Sequence, residues 1–244
     1  MTPIEWGLAI LAAIAVGMSK GGLNLTATMS VPIMALVMSP VQAAGILLPV
    51  YIISDMGGLI AYRRNVNWSV LLTVLPGAAI GILLGWATAS MVSDRWVAGL
   101  VGVIAGSFAL NMLLRRSAGR AGAPSMERGS FWGLLAGFTS FVSHSGSPPW
   151  QVYAQPMFLP PVVFAGTTTV LFALINLGKL VPYWALGQLS ADNLRVSAVL
   201  VPIALVSVWL GVRLVRIMPA TVFYRFITWA LLLVSVKLLW DAVI

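Results

Sequence analysis

Two polar interruptions lie inside long apolar runs of this 244-residue chain. The first is residues 19–24, Ser-Lys-Gly-Gly-Leu-Asn, and the second is residues 143–151, Ser-His-Ser-Gly-Ser-Pro-Pro-Trp-Gln. Ammonium, hydroxyl and backbone N–H groups donate hydrogen bonds, which a dehydrated oxyanion needs in place of water. We therefore interpret the two interruptions as facing parts of one anion-translocation site at membrane depth.

Lys20 is the strongest single indication of that chemistry. A lone ammonium inside an apolar segment costs about 2.5–3.5 kcal/mol on insertion scales, so it usually faces a water-filled cavity or a partner. We expect Gly21 and Gly22 to leave backbone amides free beside it. A helix that begins near Asn24 would direct its positive end to the same place. The alternative is a structural turn without a ligand.

The second interruption supplies further predicted substrate-binding residues: His144, Ser145, Gly146, Ser147, Trp150 and Gln151. Pro148 and Pro149 should end one helix there, and a new helix should start at residue 149 or 150. His144 is the only histidine and could couple transport to protons near neutral pH. A histidine bonded within the helix break is the alternative.

Three more polar residues lie inside predicted spans: Asp55, Asn176 and Lys179. We expect either a structural ion pair between Asp55 and Lys179 or a proton-carrying role for Asp55. Neither G-x-S-x-G nor H-E-x-x-H occurs, and there is no cysteine, so we expect no enzyme activity, no cofactor and no bound metal. A membrane enzyme or an assembly factor is kept as a remote alternative.

The composition predicts an all-α integral membrane protein. Hydrophobic residues make up 60% of the chain and charged residues only 8%, against roughly 25% charged residues in soluble domains. Apolar runs close to 20 residues recur along it, giving about eight hydrophobic segments. The formal charge of +8 is best explained by Lys and Arg in cytoplasmic loops, not by nucleic-acid binding.

Two four-segment repeats are predicted, because Gly22 and Pro32 have the same spacing as Gly146 and Pro156, and Asp55 aligns with Asn176. The predicted boundaries are a first repeat at 1–116 (broken segment 4–37, spans 41–62, 70–89 and 96–114), a basic linker at 117–129, and a second repeat at 130–244 (broken segment 130–158, spans 162–186, 194–215 and 221–243). The apolar piece after the first interruption has 12 residues, roughly 18 Å of helix, which is short of a 30 Å hydrocarbon core. We therefore expect a re-entrant hairpin in preference to a single interrupted span.

Loop charges indicate that the two repeats are inverted. Arg63 and Arg64 make one connection of the first half basic, whereas the corresponding connection of the second half, residues 187–192, is not. The positive-inside rule then places the basic linker 115–129 in the cytoplasm. Glycines at 77, 81 and 85 give one helix a flat face for close contact, within the protomer or in a homodimer.

The whole pattern resembles the sulfite exporter TauE/SafE family of permeases. The resemblance rests on Lys20-Gly21-Gly22 with Pro32, and on the run 137–184 with its Ser-Gly break, Pro156 and Gly166-Thr167-Thr168. It implies a transporter in the bacterial inner membrane that exports sulfite or an organosulfonate such as sulfoacetate. The segment 143–147 departs from the glycine-rich form common in the family, so proton-coupled uptake of another anion, or a channel, stays open as an alternative.

Overall fold

A computed structural model describes residues 1–88, 91, 93–114 and 122–243, and this part of the chain contains helices but no strand. The helices are α1 (Pro3–Lys20), α2 (Ser30–Ala35), α3 (Pro40–Tyr62), α4 (Trp68–Ala87), α5 (Asp94–Leu114), α6 (Met126–Ser143), α7 (Ser147–Ala154), α8 (Pro161–Ala185), α9 (Ala191–Ile217) and α10 (Ala220–Val243). Short 3₁₀ helices occupy Asn24–Met29 and Gln155–Met157. The predicted all-helical class is confirmed.

Six of the described helices are long and apolar enough to cross a membrane: α1, α4, α8, α9, α10 and the part of α3 from Gln42 to Tyr62. Ala98–Leu114 of α5 is a shorter apolar helix. A helix satisfies its backbone hydrogen bonds internally, which the bilayer core requires. The chain is therefore a multi-pass membrane protein.

Side-chain caps explain where several helices begin. The oxygens of Thr2, Ser39, Asn67 and Ser125 each accept a hydrogen bond from a backbone N–H in the first turn that follows. These caps satisfy donors that the first turn of a helix leaves without a partner. The cap at Ser125 starts α6 at Met126, four residues before the predicted start at 130. Residues 115–121 of the predicted basic linker lie outside the described residues.

Each broken segment folds back on itself as a hairpin. After α1, the hydroxyl of Thr26 donates to Ala15 O at 2.7 Å, so the 3₁₀ helix returns along α1. After α6, the hydroxyl of Tyr153 donates to Ser125 O at 3.3 Å, and Gly122 N donates to Pro156 O at 2.9 Å. In both cases the chain after the break runs back along the helix that precedes the break.

The chain forms two compact units, and each draws on both predicted repeats. The first unit is Met1–Val66 with Val162–Ile217, and the second is Asn67–Pro161 with Met218–Ile244. In the first unit, α1 and α3 pack against α9. In the second unit, α4 packs against α6, and α5 packs against α10.

Glycines let the packed helices touch backbone to backbone. A Cβ atom at Gly77 would lie 1.8 Å from Ser130 O, and one at Gly81 would lie 2.2 Å from Leu134 O, so α4 and α6 are in direct contact. In the first unit, a Cβ at Gly17 would lie 2.1 Å from Ala204 O on α9. The close contact predicted for the glycine face of α4 is confirmed, and it lies within one chain.

We predict that Gly81→Ala destabilises the protein, because the added methyl group would have to push two helix backbones apart. Overpacking of this kind costs about 1–3 kcal/mol. Gly7→Ala is the matched control, since nothing lies within 4 Å of a Cβ at that position of α1. Thermal unfolding of the two purified variants in detergent would contradict the packing if both behaved like the unmodified protein.

Candidate functional site

A buried ion pair joins α1 to α3. Lys20 Nζ lies 2.7 Å from Asp55 Oδ1, and the two side chains are only 5% and 1% exposed. Each charged group therefore takes the place of water around the other. Without its partner, either charge would be costly to hold away from solvent. The strongest sequence candidate, Lys20, thus has a carboxylate as its direct partner.

The carboxylate of Asp55 is held from its other side by α8. Asn176 Nδ2 donates to Asp55 Oδ2 at 2.8 Å. Oδ1 is thus in ion-pair contact with the ammonium of Lys20, and Oδ2 accepts from the amide of Asn176. Three helices, α1, α3 and α8, meet at this side chain.

Two aromatic rings complete the surroundings of the ammonium group. Lys20 Nζ lies 5.1 Å from the ring centroid of Tyr51 and 5.9 Å from that of Phe172, both within cation–π range. The hydroxyl of Tyr51 is fixed in turn by Ser30 Oγ at 2.5 Å and by Ala27 O at 3.1 Å. The ring that faces Lys20 is therefore tied to the returning arm of the first hairpin.

Lys179 adds a second positive charge to this cluster. It is fully buried on α8 and interacts electrostatically with both Asp55 and Lys20. With all three groups ionised, two cations stand against one anion. The expected ion pair of Asp55 with Lys179 stays a prediction, and the contact at 2.7 Å adds Lys20 as a partner of the same carboxylate.

The first break holds Lys20 at the C-terminal end of α1. Gly21 N donates to Gly17 O, Gly22 N donates to Ser19 O, and Leu23 N donates to Met18 O. The expectation of free amides at Gly21 and Gly22 is therefore wrong in this conformation, because both donate to carbonyls of the last helical turn. The negative end of the α1 dipole favours the ammonium of Lys20.

Close packing explains why glycines follow Lys20. Gly22 has φ +113°, which side chains rarely allow. A Cβ at Gly21 would lie 2.6 Å from Gly211 Cα, and one at Gly58 of α3 would lie 2.7 Å from Lys20 O. Asn24 begins a 3₁₀ helix of six residues, not an α-helix. These small residues let α3 and α9 approach the end of α1.

The second break is a turn closed by its own hydrogen bonds. α6 ends at Ser143, and His144 takes a left-handed conformation with φ 53°. Ser145 N donates to Thr139 O at 3.1 Å, and the hydroxyl of Thr139 donates to Ser145 O at 3.1 Å. The backbone of His144 is thus part of the helix ending. This favours the alternative of a histidine bonded within the helix break.

α7 begins at Ser147, two residues before the earlier of the two predicted starts, with prolines in its first turn. Trp150 and Gln151 are fully buried, and neither amide atom of Gln151 has a hydrogen-bond partner within the described chain. A cavity of about 80 Å³ lies beside this break, lined by Thr139, Pro149 and apolar side chains of α5 and α6. Its apolar wall does not suit an oxyanion.

The structure thus gathers the sequence candidates into two groups. The first unit holds Lys20, Gly21, Gly22, Asn24, Asp55, Asn176 and Lys179, and the second holds His144, Ser145, Gly146, Ser147, Trp150 and Gln151. The groups belong to different units, so the expectation that the two breaks face each other stays a prediction.

Sequence reasoning missed Tyr51 and Phe172, although their helical spacing from polar residues indicates that both lie near the site. Tyr51 lies four residues before Asp55 on α3, and Phe172 lies four residues before Asn176 on α8. Residues four apart share a helix face. Tracing the face of each intramembrane polar residue would have identified both rings.

We predict that Lys20→Met and Asp55→Leu each lower the free energy of unfolding by about 3–5 kcal/mol, because each leaves a buried charge without its partner. In the double variant the cost should be smaller than the sum, by about 0.5–3 kcal/mol. Asp192→Asn removes the exposed pair with Arg195 and should change the free energy by less than about 1 kcal/mol. Equilibrium unfolding in mixed micelles measures the free energy of unfolding of all four variants. Strictly additive effects of the two single substitutions would contradict a direct interaction between Lys20 and Asp55.

Comparison with known proteins agrees with the resemblance found in the sequence. The family model described as Sulfite exporter TauE/SafE matches residues 9–238. No curated protein and no solved structure matches the chain. Because the family match spans nearly the whole chain, the protein belongs to the sulfite exporter TauE/SafE family of membrane transporters.

Proposed function

We propose that this protein exports a small sulfur oxyanion, sulfite or an organosulfonate, across the bacterial inner membrane by alternating access. The observation that carries the proposal is the buried cluster of Lys20, Asp55 and Lys179, in which two amines face one carboxylate. With both amines protonated, such a cluster attracts a further anion. The family match supports the class of substrate, and a transporter family agrees with the expectation that the chain is not an enzyme.

A bound oxyanion would exchange its water for donors of the protein. Lys20 and Lys179 offer ammonium groups, which form the stronger, charge-assisted hydrogen bonds. For the second break, taken by itself, we propose Ser145, Ser147 and the amide of Gln151 as donors to an anion. Gln151 supports this because its fully buried amide has no partner among the described residues, a costly arrangement that a polar ligand would relieve.

Reciprocal packing supports the proposed inverted repeat. The broken segment of the first half, α1, packs against α9 of the second half, and the broken segment of the second half, α6, packs against α4 of the first. In the predicted alignment α1 corresponds to α6 and α4 to α9. Asp55 and Asn176 also correspond, and they hydrogen-bond to each other. Inverted repeats of this kind underlie alternating access in many transporters.

Export is the direction that we propose, with the basic linker at 115–129 in the cytoplasm. The membrane potential, negative inside, favours outward movement of net negative charge by about 2.3 kcal/mol per charge per 100 mV. An anion that leaves the cell with uncompensated charge therefore moves down the potential. Arg63 and Arg64 make one loop of the first half basic, whereas the corresponding loop of the second half is not, and this difference supports the orientation.

We predict protein-dependent flux of labelled sulfite or sulfoacetate in proteoliposomes, and its loss in Lys20→Ala. The substitution removes the ammonium that replaces the hydration of the anion, so flux should fall at least tenfold. Flux is measured at matched protein incorporation, with an imposed membrane potential and protein-free liposomes as the background.

Lys237→Ala is the matched control, because it also breaks a lysine–aspartate pair, that of Lys237 with Asp241 on α10. It should keep nearly all of the flux. Equal losses in the two variants would contradict a specific role for Lys20, and no flux of either anion through the unmodified protein would refute the proposed function.

A further inference from the structure

We propose that Asp55 is a displaceable counter-ion that takes up one proton when the transported anion binds, so that each anion travels with one proton. The inference rests on the proposed function, since it concerns the same anion. In this reading the carboxylate occupies the place at Lys20 that the oxyanion takes. Lys20 and Asp55 together then form a proton-coupling device.

The geometry of the pair carries the first step. An oxygen 2.7 Å from an ammonium nitrogen stands at the distance that a bound oxyanion would adopt. The ring faces of Tyr51 and Phe172 flank the same ammonium group. Asp55 is its carboxylate partner among the described residues, so an oxyanion that bonds to Lys20 has to compete with Asp55.

The second step follows from charge. An oxyanion at Lys20 would stand beside the ionised carboxylate in a region where water is excluded, and like charges at short distance disfavour each other strongly. Protonation removes one of the two negative charges. It also turns the carboxyl group into a donor, which can hydrogen-bond to the anion. The free site therefore holds a carboxylate, and the loaded site holds a carboxylic acid and the anion.

The proton balance is simple. One O–H bond forms on Asp55 as the anion binds, with a proton from water on the side of entry, and the same bond breaks when the anion leaves. Asn176 keeps its hydrogen bond to the other carboxylate oxygen and holds the group in place. With both lysines protonated, the loaded site with a dianion balances two positive charges.

Besides Asp55, the titratable groups at this place are the amines of Lys20 and Lys179. Lys20 faces Asp55 from α1, and Lys179 and Asn176 face it from α8. Tyr51 lies on α3 itself and is bonded to Ser30 and Ala27. From α9, the neighbours of Gly57 are Leu205 and Val208, and Arg216 donates to Ala61 O farther along α3. Asp55 is the one carboxylate among these groups.

Coupling of this kind sets the energetics of transport. A monoanion that moves with one proton carries no net charge, whereas a dianion still carries one negative charge. The membrane potential would therefore drive a dianion outward, and an inward proton gradient would oppose it. Two lysines beside one titratable carboxyl group fit a dianion best.

The test is the number of protons taken up per anion bound. Sulfoacetate is titrated into the purified full chain by calorimetry, in buffers with different ionisation enthalpies. Its charge is constant near neutral pH, so any proton must go to the protein. We expect about one proton per sulfoacetate, and a dissociation constant that rises about tenfold per pH unit where Asp55 is ionised in the free protein.

Asp55→Asn should bind sulfoacetate with no proton uptake and with an affinity independent of pH. The control Asp192→Asn, at the exposed end of α9, should keep the linkage of one proton. Binding to the unmodified protein without proton uptake, or with unchanged uptake in Asp55→Asn, would overturn the coupling and leave the anion site standing. If Asp55→Asn does not fold, Lys179→Met removes the titratable amine that faces Asp55 from α8 and should keep the uptake of one proton. Loss of the uptake in Lys179→Met would assign the proton to Lys179 and overturn the proposal. If neither sulfoacetate nor sulfite binds the unmodified protein, the proposed function fails as well.

Discussion

The ion pair between Lys20 and Asp55 is the interaction on which the architecture of the first unit depends. Two charges buried to 5% and 1% exposure are tolerated only if each meets the other at short range. That requirement ends α1 at Lys20, places α3 beside it, and brings α8 close enough for Asn176 to bond to the carboxylate. Lys179 adds a second amine to the cluster, and when both lysines are protonated the excess of positive charge suits a bound anion.

Backbone contact makes this convergence possible. Without a hydrophobic force between helices in a bilayer, association relies on close packing, and small residues allow it. Gly21 against Gly211, and Gly58 against Lys20 O, show helices in contact where any side chain would separate them. The same device joins α4 to α6 in the second unit. Glycines in this chain therefore allow the close helix contacts that the buried ion pair requires.

Much of this organisation could be predicted from the sequence. Composition and period predict the helices, the glycine face of α4 is confirmed, and Lys20 has the buried partner that a lone intramembrane ammonium was expected to need. Tertiary information was missing elsewhere. Free amides were expected at Gly21 and Gly22, but a helix end uses its nearby donors to satisfy its own carbonyls. The contact of Asp55 with Lys20 was not foreseen, because distance along the chain says little about which helices meet. The compact units exchange elements between the sequence halves, an arrangement that only the folded contacts reveal.

The most direct measurement is a structure determined with selenite, an isostere of sulfite whose selenium gives an anomalous signal. An anion transporter built around Lys20 should show an anomalous selenium peak beside Lys20, with a selenite oxygen within hydrogen-bonding distance of Nζ and Asp55 Oδ1 moved away from its position at 2.7 Å. An occupied site elsewhere, with the Lys20–Asp55 pair intact, would show that the pair only supports the fold and would contradict the account.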